Sequence, residues 1–290
     1  MPTDVEIRHC DLDNFLFVAS GDQSDYGEYY RSLANDSYHS ELAGTDLHSP
    51  ISMLQLSQLV KLLGNFFDQP QKVLDFGCGE ASLLVELAGE FSSSTFWGFD
   101  PSPGAQIGSE KARKLGLKNL IITDHLEADA HRESYDLVIA SHVIEHLIEF
   151  DTLHSLSDLM AEDGLLYVEV PDSLRYEFYQ RQEFLYYFDR VHVNHFTPHA
   201  LVCLCSAFGF GYIGHIQYEF PYPDGRRYPA LGMLFRKGAK QFDMPSPSIL
   251  EAANCYLANE RLRAEDTARK FAELDGVLVW GGRGQFLSVY

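Results

Sequence analysis

From residue 70 onward, short apolar runs alternate with longer amphipathic segments. The runs at 73–76, 96–99, 120–123, 135–141 and 164–171 are each bounded by turn-forming or charged residues. Apolar runs of this length read as strands buried on both faces, the pattern of a parallel sheet. Ahead of the first run, 51–67 carries Leu54, Leu59, Leu62, Leu63 and Phe66 near helical spacing, which predicts a helix. Strands and helices alternating at this length predict an α/β fold with a doubly wound, Rossmann-like sheet. The later runs 210–220 and 231–236 are joined by the turn-rich 221–227. They predict an antiparallel pair that closes an otherwise mostly parallel sheet.

The segments outside this alternation set the domain plan. Residues 1–50 are rich in Tyr, Asp and Ser and read as an N-terminal lid or adaptor. Tyr26, Tyr29, Tyr30, Tyr38 and His39 either cover the site or make ordinary surface contacts. Residues 51–240 form the main domain, with an aromatic insertion at 172–199 on the substrate side. In 241–290, Ser248 caps an expected helix over 249–274. An apolar run then enters a glycine turn at 276–286, which reads as the start of a further, truncated domain continuing beyond residue 290.

The chemistry gathers where the strands end. The first strand closes on Asp75 and runs into Gly77-Cys78-Gly79. Glycine allows close backbone approach and positive φ, and the helix that follows offers free N–H groups to a ligand. The dinucleotide fingerprint G-x-G-x-x-G fails, because Ser82 holds the third glycine position. Asp100 closes the second strand about twenty residues later, where a carboxylate can accept from both ribose hydroxyls. Asp124 closes the third strand, a further carboxylate acceptor in the same series.

On the acceptor side, Ser141, His142, Glu145 and His146 follow the fourth strand. If a helix begins there, His142 and His146 share a face. His192 and His195 precede a Thr197-Pro198 helix start. Activating a hydroxyl or a carbon acid needs a proton removed, and histidine titrates in the right range. His192 is the expected general base and His195 its substitute. Glu145 and His146 either take part in the chemistry or fix the turn. Tyr176, Phe178, Tyr179, Phe184, Tyr186 and Tyr187 either line a pocket or pack as core.

The acid-x-Gly-x-Gly loop, with the acids that follow in order, resembles the first motifs of class I S-adenosylmethionine (SAM) methyltransferases. That resemblance implies SAM as cofactor, held by Asp75, Gly77, Cys78, Gly79, Asp100, Asp124 and Ser141. It also implies the mostly parallel sheet with its antiparallel end. Residues 73–198 are similar to small-molecule methyltransferases that act on sugars. His192 and Phe196 resemble the His-x-x-x-Phe part of a loop in deoxysugar C-methyltransferases, where the histidine is taken as the base. Residues 279–284 resemble the start of that group's C-terminal domain. The implied reaction is methylation of a saccharide or nucleotide-sugar acceptor, with His192, His195, Glu145 and His146 as the catalytic set and no metal. The group's N-terminal zinc-binding cysteines are missing, with only Cys10 present, and Asp189 replaces the loop's tyrosine. O-methylation therefore stands beside C-methylation.

Two alternatives remain open. Glu145 and His146, with His192 or His195, also resemble the metal site of small-RNA 3′-end methyltransferases, without that family's earlier glutamate. The second alternative is a catalytically silent SAM-fold scaffold within a larger enzyme.

Bulk properties narrow the setting. The formal net charge of −20 opposes a long polyanionic substrate such as RNA or DNA. The five cysteines show no C-x-x-C spacing and read as reduced thiols of a cytoplasmic protein. No apolar run is long enough to span a bilayer.

Overall fold

The computed structural model describes residues 6–19, 49–126, 132–179, 185–188, 192–221, 227–238 and 244–272. The expected tyrosine cluster at 26–39, Phe184, Asp189, the tip of the 221–227 turn and the glycine turn at 276–286 lie outside the described residues.

Among the described residues the main sheet has seven strands. They are β3 (Lys72–Phe76), β4 (Thr95–Phe99), β5 (Leu120–Thr123), β6 (Tyr135–Ser141), β7 (Met160–Pro171), β9 (Phe210–Pro221) and β10 (Arg227–Lys237). Their spatial order is β5-β4-β3-β6-β7-β10-β9. The pairs from β5 to β7 are parallel, and β10 runs antiparallel to both β7 and β9. The chain leaves β3 for one edge and returns to place β6 on its other side. That reversal is a topological switch point, where open α/β sheets form a crevice at the strands' carboxyl ends. Asp75, Asp100, Ser141 and Glu169 all stand at that end.

Helices cover both faces. Leu59 and Leu63 of α1 (Pro50–Leu63), Leu83, Leu84 and Leu87 of α2 (Ser82–Glu90) and Ala112 of α3 (Gly104–Leu115) pack on one face. Leu153, Leu156 and Leu159 of α4 (Thr152–Leu159) and Leu201 and Cys205 of α5 (Pro198–Ala207) pack on the other. α1 starts where the sequence permits: Ser49 accepts from the Ile51 N–H in a capping box with Ser52, and Pro50 takes the first turn. Thr197 caps α5 in the same way, accepting from the Ala200 N–H at 3.0 Å.

A second, three-stranded sheet joins the chain's start to the substrate side. β1 (Ile7–Cys10) and β2 (Phe15–Val18) form a hairpin, and β2 pairs with β8 (Asn194–His195). His195 is therefore a strand residue rather than a loop residue. Asn14, at the hairpin turn, donates to Ser246 Oγ at 2.7 Å and accepts from the Ile249 N–H at the head of α6 (Ile249–Ala272).

Candidate active site

The loop after β3 is built as a cradle. Gly77 has φ +77°, and a Cβ there would stand 2.5 Å from Val143 Cγ2. The N–H groups of Gly77 and Cys78 both donate to the Phe99 carbonyl, at 2.7 and 3.0 Å, lashing the loop to the end of β4. Gly104 opens α3 against the loop, where a Cβ would meet the Gly79 carbonyl carbon at 2.8 Å. Ala81, the loop residue just before α2, is held at φ +55°. A left-handed alanine is strained, which gives a physical reason for glycine to be favoured there.

Asp100 organises the cradle. Its Oδ2 accepts from the Gly79 N–H at 2.7 Å and its Oδ1 from the Ser102 N–H at 2.8 Å. Each carboxylate oxygen keeps a second lone pair for a ligand hydroxyl. Asp75 lies beneath the loop, buried, and its Oδ1 has no hydrogen-bond partner among the described residues. Burial, then the nearby Asp100 and Glu169 charges, push its carboxyl up to about 8. Burial also raises the Cys78 thiol, so Cys78 is a neutral wall rather than a nucleophile. Asp124 stands at the end of β5 as the sequence predicts, exposed and in contact with His125 at 3.0 Å. An orphaned acidic oxygen, a bidentate acceptor and a cradle that a Cβ would fill fit a nucleoside whose amino-acid end is cationic.

The turn after β6 departs from the sequence expectation. His142 adopts φ +54°, so no helix starts there, and only a 3-10 turn forms over Ile144–His146. His142 and His146 therefore do not share a helical face. They flank Glu145 instead: His142 Nδ1 is 3.0 Å and His146 Nε2 3.8 Å from the same Glu145 oxygen. Glu145 is fully buried, and its other oxygen, Oε2, has no hydrogen-bond partner among the described residues.

Behind His142 lies a site that the sequence reading did not single out. Glu169, fully buried in β7, accepts from Gln55 Nε2 at 2.7 Å, Ser141 Oγ at 3.0 Å, Tyr167 Oη at 2.6 Å and the Tyr218 hydroxyl. His142 Nε2 approaches it at 3.4 Å. Burial opposes the Glu169 charge, but His142 and the tyrosine hydroxyls outweigh it and bring its carboxyl down to about 2. Burial likewise opposes charge on His142. Its hydrogen bonds to Glu145 and Glu169 prevail and raise the imidazole to about 10. Ser141, expected at the cofactor, is committed to this cage. The signal was a lone glutamate inside an apolar strand, which must find donors when buried.

The two later histidines separate. His192 stacks on His146, with ring centroids 5.1 Å apart, and joins it and Glu145 in one cluster. His195 turns into an aromatic cluster, its Nδ1 lying 3.3 Å from the Tyr176 hydroxyl. Burial, then His192, lower the His195 imidazole to about 3, which makes it a weak base. Asn194 secures the segment by donating to the Leu147 carbonyl at 2.6 Å. Of the aromatic stretch, Tyr176 and Tyr187 stack at 4.0 Å within a buried core with Phe188 and Tyr256. Phe178 is exposed. The rings beside His142 come from the closing strand pair, Phe220 at 5.8 Å and Tyr228 at 6.0 Å.

The Asp75 environment sets a pH dependence. Its folded pKa lies above the unfolded value, so the folded chain holds more protons between about pH 4 and 8 and loses stability as pH rises through that window. Asp75→Asn should therefore melt higher than the wild-type chain at pH 8, and the gap should narrow towards pH 5. Thermal unfolding at the two pH values checks this.

Comparison with known proteins agrees with this fold. A family model described as a methyltransferase domain matches residues 52–214. The chain is 33% identical over 104 residues to a probable (S)-tetrahydroprotoberberine N-methyltransferase 2 of Papaver bracteatum, a match covering 34% of this chain and 28% of that protein. The chain thus spans under a third of the length of that relative. Among solved structures, 1,6-didemethyltoxoflavin-N1-methyltransferase of Burkholderia thailandensis, with bound 1,6-didemethyltoxoflavin and S-adenosylhomocysteine, superposes with a TM-score of 0.54 at 17% identity. That match covers 81% of this chain and 100% of that one. The 4+2 cyclase SpnF superposes with a TM-score of 0.53 at 13% identity, covering 75% and 97%.

Proposed function

The chain belongs to the methyltransferase-domain family, and from that premise we propose that it transfers the methyl group of SAM to a hydroxyl of a small, saccharide-type acceptor. The observation that carries the cofactor half is Asp100, tied to Gly79 with lone pairs to spare, above the orphaned oxygen of Asp75. Bound SAM supplies an electrophilic methyl on a sulfonium sulfur. Asp75 takes the cationic amino-acid end, Asp100 the ribose hydroxyls and Asp124 the adenine edge. Most of the rate comes from holding acceptor, methyl and sulfur in line, because positioning removes the largest entropic share of the barrier.

The acceptor side supports a hydroxyl. A neutral amine attacks without losing its proton first, whereas a hydroxyl must give one up, and the buried Glu145–His146–His192 cluster can manage that proton. Phe220 and Tyr228 offer apolar faces beside His142, which meets Glu145. The second reading is an amine acceptor, favoured by the N-methyltransferase named among the relatives. SpnF, a cyclase of the same fold, keeps a non-methylating role in play. Incubating the chain with methyl-labelled SAM and a panel of saccharides, nucleotide sugars and benzylic amines tests these readings. Label in a saccharide supports the first and label in an amine the second. SAM binding with no transfer to any compound favours the scaffold.

A further inference from the structure

We propose that Cys203 is a reactive thiol with His199 as its base, a site that forms mixed disulfides with small disulfide compounds. Both residues lie on α5 about one helical turn apart, and both are partly exposed. The Cys203 sulfur stands 3.4 Å from His199 Nε2. His199 Nδ1 stands 2.9 Å from the Met244 carbonyl oxygen. A carbonyl oxygen can only accept, so Nδ1 carries a proton and Nε2 is left to offer its lone pair to the thiol. A nucleophile, its base and a third group that orients the base are the parts of an activated side chain. The sulfur, the imidazole and the carbonyl supply all three. None of these residues is among those assigned to cofactor or acceptor.

The other four cysteines make the contrast. Burial, then Asp75 and Asp100, push the Cys78 thiol up, and burial pushes up Cys205. Cys255 is exposed, yet desolvation, then Glu177 and Glu251, raise it too. Cys10 meets Asp13 Oδ2 at 3.7 Å, where a thiolate would face an anion. Cys203 alone of the five has an imidazole as its hydrogen-bonding partner. Reactivity needs access and thiolate character together, and the His199 contact supplies the second.

In the step, His199 Nε2 takes the thiol proton and the Cys203 sulfur attacks one sulfur of the disulfide. A new sulfur–sulfur bond forms as the old one breaks. The departing sulfur leaves as a thiolate and takes the proton back from His199. One mixed disulfide and one free thiol result, and no further oxidant is consumed.

The test uses hydroxyethyl disulfide, an uncharged probe that the net charge of −20 neither attracts nor repels. The full chain is reduced, freed of reductant and given a limiting amount of probe. Peptide mass spectrometry follows the adduct at each cysteine. In the folded chain Cys203 should react at least about tenfold faster than Cys10 and Cys255, although Cys255 is the more exposed. In denaturant the five rates should converge. His199→Gln removes the base and should slow Cys203 by about tenfold while leaving Cys255 unchanged. If that variant does not fold, the folded-against-unfolded comparison in the wild-type chain decides. Three results would each overturn the proposal: Cys203 reacting no faster than Cys255, a Cys203 lead that persists in denaturant, or an unchanged Cys203 rate in folded His199→Gln.

Discussion

Glu169→Leu should destabilise the chain by about 3–5 kcal/mol, the scale for breaking a buried charge network by removing one partner. The carboxylate collects Gln55, Ser141, His142, Tyr167 and Tyr218, groups brought from α1, the end of β6, β7 and β9. Leucine fills much of the volume but leaves these groups facing apolar surface. It also leaves His142 with one carboxylate where it had two. For a chain of this size the melting temperature should fall by roughly 10 °C. Glu169→Gln keeps an acceptor oxygen and should lose less. A Leu variant that melts within about 2 °C of the wild-type chain would show that the cage contributes little.

His192→Asn should leave SAM affinity unchanged and lower turnover by about a hundredfold or more, the range seen when acid–base chemistry is removed. The residue sits after β7 and meets the turn after β6 through His146. Its loss reaches the acceptor side alone. His195→Asn, in the aromatic cluster, should affect stability more than the chemical step. Transfer rates with the acceptor found in the panel, beside SAM calorimetry on both variants, check the pair. Near-normal turnover in His192→Asn would return that ring to a structural role.

What could be read from sequence follows from what each element depends on. β3 to β7 were legible because strands covered on both faces are apolar throughout, and Asp75, Asp100 and Asp124 mark their ends. The antiparallel pair was legible from two long runs around a turn. The turn after β6 was not, because a non-glycine residue at positive φ leaves no trace in a periodicity. There, Ser141–Leu147 looks like a helix start, and His142 bends it instead. The Glu169 cage depends on partners at 55, 141, 142, 167 and 218, a meeting set by sheet topology. His192 and His195 are equivalent in sequence. Strand pairing with the N-terminal hairpin turns His195 towards Tyr176 and leaves His192 beside His146.

The most direct measurement is isothermal calorimetry of SAM and of NAD with the wild-type chain and Asp100→Ala. SAM should bind the wild-type chain at one site and NAD should give no heat. Asp100→Ala should weaken SAM by about 1–3 kcal/mol, roughly five- to 150-fold, because it removes hydrogen bonds to a charged acceptor and frees Gly79. Binding of NAD with no binding of SAM would contradict the account.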